Sequence, residues 1–167
     1  MTSTTRSNGI MSFPGSLILK AGLLSGTLDI LSACLYSYIK KGTAPTLILQ
    51  SISKVALGKT TYTNPTVLAI TGLLVHFAIA FSWTVIFFFL YSRAKLMRQN
   101  RMLTAIIYGI FVWAMMSMVI LPLWNNKPFV FKAENASISA MILVIAIGLP
   151  LSFIAHNHYS KKNTGTL

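Results

Sequence analysis

Two acidic residues stand in a chain of 167, and one of them, Asp29, falls in the middle of an apolar run. An ionised carboxylate at that depth costs about 3 kcal/mol or more if it meets lipid, so its side chain belongs against the protein interior or water. The matching base is His76, near the middle of a second apolar run and so at a similar depth. A carboxyl and an imidazole meeting in a low-dielectric interior can hold or pass a proton near neutral pH, because burial penalises their charges while their attraction favours them. A hydrogen bond between the two is the expected contact. The same pair also has a purely structural reading, since polar contacts between membrane helices, worth about 0.6 kcal/mol on average, hold helices together without moving anything.

The neighbours of these residues are small. At about 100° per residue, Gly22, Ser25, Gly26, Ser32 and Ala33 fall within roughly 60° of Asp29. Gly22-x-x-x-Gly26 is the spacing that lets two membrane helices approach closely. The His76 face carries Ala69, Gly72, Ala80 and Trp83, which suits close packing against the first run. Tyr108, Met115 and Pro122 share a face of the third run and could line the same interior, although aromatic and Met residues at helical spacing read equally as core. Lys20 is not a partner for Asp29, because the helix between them puts it on the opposite face and about 13 Å away.

Other chemistries find no footing. His156 and His158 point to different helix faces and make a poor metal pair, so no metal site is expected. There is no HExxH, no Gly-rich phosphate loop and no GxSxG elbow, hence no catalytic residue, no cofactor and no enzyme is expected. A single cysteine rules out an intrachain disulfide or CxxC site. Leu31-Ser32-Ala33-Cys34 resembles a lipoprotein cleavage box, but the apolar run continues through Leu35, Tyr36 and Ile39, and Cys34 reads as a packed side chain. The net charge of +12 comes from residues flanking the apolar runs and not from a stripe with interleaved aromatics, so the expected partner is a lipid bilayer and not a nucleic acid.

The elements that must position Asp29 and His76 are membrane helices. Apolar residues make up 54% of the chain and charged residues 10%, against roughly 25% charged in a soluble domain. Four runs reach the length of about 20 residues needed to cross the hydrocarbon: about 17–39, 65–91, 102–121 (ending before Pro122) and 138–155. Residues 1–16 read as a disordered lead, 17–156 as the membrane domain and 157–167 as a basic tail with Lys161 and Lys162. Between the first two runs, about 45–57 has Pro45 for a first turn, Gly58 for a C-cap and Ile48, Ile52, Val55 and Ala56 on one face, with Gln50, Ser53 and Lys54 off it. It is too short to span, and it reads either as an interfacial or re-entrant amphipathic helix or as a connecting helix on the bundle rim. The fourth run should begin at an N-cap near Asn135 or Ser137 with Glu134 at its positive end, and Tyr91 and Trp124 fall at span ends. The fold class is therefore all-α, a transmembrane four-helix bundle with a short interfacial helix between spans one and two. Arg93, Lys95, Arg98 and Arg101 form the densest basic cluster, in a short loop; they are candidates for headgroup binding and place that loop and both termini in the cytoplasm.

Gly22-Leu-Leu-Ser-Gly26-Thr-Leu-Asp29, then Leu49-Gln50 and Leu57-Gly58, then Gly72-Leu-Leu-Val-His76-Phe77, and finally Tyr108-Gly109 and Pro122-Leu123 occur in an order that resembles a group of small bacterial membrane proteins. The resemblance covers about Gly22 to Pro150. It implies four spans in a bacterial inner membrane and supplies no activity. Two functions are expected from the residues: a proton-linked small-solute carrier or pathway using Asp29 and His76, or a structural subunit of a larger membrane complex. A carrier of only four spans would be expected to work as a homodimer.

Overall fold

The computed structural model describes residues 15–58, 64–125 and 133–164, and among them every regular element is a helix. Four helices are long and apolar enough to cross a membrane: Gly15–Lys41, Pro65–Arg93, Arg101–Leu123 and Asn135–Ser160. Only 17% to 33% of the residues in their apolar windows are buried within the chain, so most of each helix turns Leu, Ile, Val and Phe outward, as a multi-pass membrane protein requires.

We number the helices in chain order. Helix α1 (Gly15–Lys41) ends at Gly42, whose φ of 63° ends the helix in a conformation that glycine adopts without strain. The connecting helix α2 (Pro45–Leu57) starts on Pro45, whose missing N–H would be unpaired there anyway, and stops at Gly58 with φ 69°. In α3 (Pro65–Arg93) the Asn64 side chain caps the start by accepting from the Thr66 amide at 2.9 Å. A short turn of helix, α4 (Lys95–Gln99), leads to Asn100, whose side chain accepts from the Met102 and Leu103 amides at 3.0 and 3.2 Å and so starts α5.

Helices α5 and α6 each contain a wide turn. Helix α5 is α-helical over Arg101–Ala114, π-helical over Met115–Ile120 and α-helical again over Leu121–Asn125. Helix α6 repeats the pattern with Ala133–Leu143, Val144–Gly148 and Leu149–Thr164. Each wide turn lies just ahead of a proline. A proline ring clashes with the carbonyl four residues back and offers it no N–H; for Pro122 and Pro150 those residues are Met118 and Ala146, inside the wide turns. Pairing shifts by one residue, so that the Leu121 amide reaches the Met116 carbonyl and the Leu149 amide reaches the Val144 carbonyl.

Packing follows the glycines. A methyl group at Gly22 would overlap Phe81, and one at Gly26 would press on Phe77 and Ala80, so the small stripe of α1 meets α3 as its spacing predicts. Gly72 does something different: it faces the Leu49 carbonyl of α2 and not α1. Leu49 and Ser53, one turn apart, form the face of α2 that lies on α3, and Ser53 is fully buried with no partner for its hydroxyl. Helix α2 is thus packed onto the bundle by a face that includes a polar residue expected to be off it. Gly109 against Val144 and Gly148 against Ala105 bring α5 and α6 together in the same close manner.

Several boundaries differ from expectation. Helix α1 begins at Gly15, inside the expected lead, whose residues 1–14 lie outside the described residues. The third span runs on through Pro122, because the wide turn removes the clash that would have ended it. The fourth helix begins at Ala133, which puts Asn135 in its first turn and not at its cap, and it continues to Thr164 through most of the expected tail. The side chains of Lys95, Trp124, Glu134, Lys161 and Lys162 lie outside the described residues.

The two ends of the bundle are built differently. Where α1 starts and α3 and α6 end, Phe87, Phe88, Tyr91, Tyr108, Val112, Leu151 and Ala155 form a closed, largely aromatic core. Phe87 lies edge-on to Tyr108 with ring centroids 4.8 Å apart, in the favoured aromatic arrangement. Toward the other end, the helices separate.

Candidate functional site

The separation leaves a cavity of about 410 Å³. Helix α1 contributes Asp29, Ala33 and Tyr36, spaced so that they continue the stripe begun by Gly22 and Gly26. Helix α2 covers one side with Ile48, Ser51, Ile52, Val55 and Ala56, the face whose apolar residues the periodicity had grouped together. Helix α3 supplies His76, Ile79 and Trp83; α5 supplies Val112, Trp113, Met116, Ser117 and Ile120; α6 supplies Ser139, Ile142, Leu143 and Ile147. Met116, Ser117 and Ile120 belong to one wide turn and Ile147 to the other, so both irregular segments wall this space.

Asp29 and His76 reach the same cavity, as their depth predicts. They lie close enough for their charges to act on each other, yet among the described residues no hydrogen bond or ion pair engages the Asp29 carboxyl. The expected bond between the two is therefore not made. His76 instead donates from Nε2 to the Gly26 carbonyl at 2.9 Å. A carbonyl oxygen only accepts, so Nε2 carries the hydrogen and Nδ1 is the nitrogen left to take a proton. The cause is the glycine: with no side chain at Gly26, α3 comes close enough for the imidazole to reach the α1 backbone one turn before Asp29. Asp29 itself is half-buried, at the cavity wall.

Tyr108 does not join the site. Its hydroxyl donates to the Trp83 carbonyl at 2.5 Å, its ring is buried in the aromatic core, and it is not among the residues that line the cavity. Of the residues sharing its expected face, Met115 packs against that core as well, two turns beyond Tyr108 on the same regular helix.

Four lining residues carry chemistry that the sequence reading passed over. Tyr36 lies two turns beyond Asp29 and donates to Asn135 Oδ1 at 3.3 Å. Its signal was present, since it falls on the Asp29 face. Trp113 donates from Nε1 to Ser139 Oγ at 2.8 Å, and Ser139 donates in turn to the Ala136 carbonyl at 3.0 Å. Ser51 donates to the Ile48 carbonyl at 2.6 Å. Nothing in an uninterrupted helical repeat links Trp113 to Ser139.

The basic cluster is partly committed to the fold. Arg98 donates from Nε to the Tyr91 carbonyl at 3.3 Å and from a terminal nitrogen to the Ser92 carbonyl, closing the C-terminus of α3 where a positive charge suits the helix dipole. The Arg93 guanidinium lies 4.5 Å from the Phe89 ring and that of Arg101 lies 4.6 Å from Phe153. Both remain exposed.

The fold and the cavity together define a class: a multi-pass, four-helix membrane bundle with an ionisable internal site. Comparison of the chain with protein-family models, with curated proteins and with solved structures finds no match. The motif order that resembles small four-span membrane proteins thus stands without a matching family model, and the site is read from its own chemistry.

Proposed function

We propose that the chain is a small-solute carrier or pathway of a bacterial inner membrane, with both termini in the cytoplasm, in which Asp29 and His76 hold the coupling proton. One observation supports this most: the acid and the base line a cavity within the usual size of small-molecule sites, about 300–1,000 Å³, and the acid is engaged in no bond there among the described residues. His76 joins α1 to α3 through Gly26, Tyr108 joins α5 to α3, and Trp113 and Tyr36 tie α6 to α5 and α1. Helix register is served without Asp29, which removes the main motive for reading the pair as a structural fastening in a subunit of a larger complex. A carboxyl kept inside a bundle with no bond among the described residues costs stability, as functional groups commonly do.

Orientation rests on Arg93, Lys95, Arg98 and Arg101 in the short connection between the second and third spans. Four spans are few for an alternating pathway, and two copies are the expected working unit. The test is reconstitution into vesicles enclosing a pH-sensitive dye, challenged with a panel of amines, carboxylic acids, amino acids and neutral solutes. At least one class should drive proton movement in the wild type, with Asp29→Asn abolishing it and His76→Gln slowing it. Wild-type vesicles that match empty ones throughout the panel would refute the proposal.

A further inference from the structure

We infer that the occupant of the cavity is a lipophilic organic cation, an ammonium group on an apolar body, with the nitrogen held by the Asp29 carboxylate. The inference rests on the reading of this cavity as a solute site and names its substrate class.

Charge is the first reason. The chain carries 14 Lys and Arg residues against two acids, yet among the described residues the lining holds one acid, one histidine and no Lys or Arg. An anion would meet a carboxylate with no guanidinium or ammonium to offset it, in surroundings where water does little to screen the repulsion. The second reason is the shortage of free hydrogen-bonding groups. A sugar needs a partner for each hydroxyl it brings out of water. Of the polar groups on the described lining, Ser51, Ser139, Tyr36 and the Trp113 N–H have protein partners, which leaves only the Ser117 hydroxyl and His76 Nδ1 in addition to Asp29, too few for a sugar. An inorganic cation fares no better, since hard cations take about six or more oxygen ligands and the described lining supplies one carboxylate and a few hydroxyls on largely apolar walls.

What remains is one negative point on an apolar surface that includes the aromatic residues Tyr36, Trp83 and Trp113. Aromatic rings attract cations as well as hydrocarbon. Coupling to the proton follows from competition for the same oxygen: a protonated Asp29 that takes up an ammonium ion releases its proton, and the proton returns when the ammonium leaves.

The test uses the full chain in detergent and three ligands with one body and different heads: phenylbutylamine, phenylbutanol and phenylbutyrate at pH 7, followed by tryptophan fluorescence and calorimetry. Wild type should bind the amine most tightly. Asp29→Asn should weaken the amine by about ten- to a hundredfold, the loss of one charge-assisted bond, while leaving the alcohol within about twofold. Asp29→Glu should keep the order amine, alcohol, acid, which separates loss of charge from loss of fold. Amine binding in weak buffer should also release protons from the wild type. Equal binding of the acid or the alcohol, or an amine affinity indifferent to Asp29→Asn, overturns the inference. If the amine binds through Asp29 but drives no proton movement in vesicles, the ligand class stands and the carrier reading falls. If another solute class drives Asp29-dependent proton movement and the amine does not bind, the ligand class falls and the carrier stands.

Discussion

Substituting Asp29 and His76 one at a time should move stability in opposite directions. His76→Leu removes the single 2.9 Å contact with the Gly26 carbonyl. That carbonyl lies within α1 and keeps its own helical amide, so no buried group is orphaned and the loss is that of the bond alone. Bonds of this kind between membrane helices average about 0.6 kcal/mol and reach about 1.7 kcal/mol. Asp29→Asn removes a carboxylate that makes no hydrogen bond or ion pair among the described residues. It relieves part of a midplane cost of about 3 kcal/mol, a part because the group borders a cavity and not lipid, so the variant should lie between unchanged and about 2 kcal/mol more stable. The double variant should equal the sum of the singles to within about 1 kcal/mol, since only charge, and no bond, couples the two sites. Unfolding in mixed micelles at pH 7, followed by circular dichroism, measures all four forms. Breaking a true buried ion pair costs about 3–5 kcal/mol; a loss of that size for Asp29→Asn would refute both the geometry and the functional argument built on it.

Two further outcomes can be read with the same unfolding assay. Gly72→Ala places a methyl on the Leu49 carbonyl, a backbone group that cannot swing aside, and should cost about 1–3 kcal/mol, whereas Gly15→Ala, with open space around it, should stay within about 0.5 kcal/mol. Arg98→Ala strips the guanidinium from the carbonyls of Tyr91 and Ser92 and should cost about 0.5–1 kcal/mol, seen most clearly as faster amide exchange in the last turn of α3.

What could be read from the residues was the part governed by length, polarity and the helical repeat. Span length and hydropathy sufficed for the four crossings, and depth alone brought Asp29 and His76 to one cavity. Pro45 and Gly58 delimited α2 because both act through local backbone chemistry. The partner of Gly72 was not legible, since a small face says that something approaches closely and not which helix does so. The His76 bond to Gly26 is hidden for a related reason: a pattern of side chains does not mark a backbone carbonyl that a glycine lays open. Tyr108 and Met115 share a face as the helical repeat predicts, but whether that face meets the cavity or the core depends on how α5 is turned against α3 and α6, which the repeat does not state.

The wide turns of α5 and α6 bear on how the chain tolerates change in length. A π turn holds one residue more than the α turn it replaces, so α5 and α6 each carry a surplus residue, the one within Met115–Ile120 and the other within Val144–Gly148. Removing a single residue inside either segment leaves everything beyond it on its bearing by reverting to ordinary helix, at the cost of restoring the clash of Pro122 or Pro150 with the carbonyl four residues back. Removing one from Arg101–Ala114, where no slack exists, turns all that follows by about 100° and points Met116 and Ser117 away from the cavity. The two loose turns act as expansion joints in the membrane wall, and single-residue deletions should disturb the cavity lining less there than elsewhere along those spans.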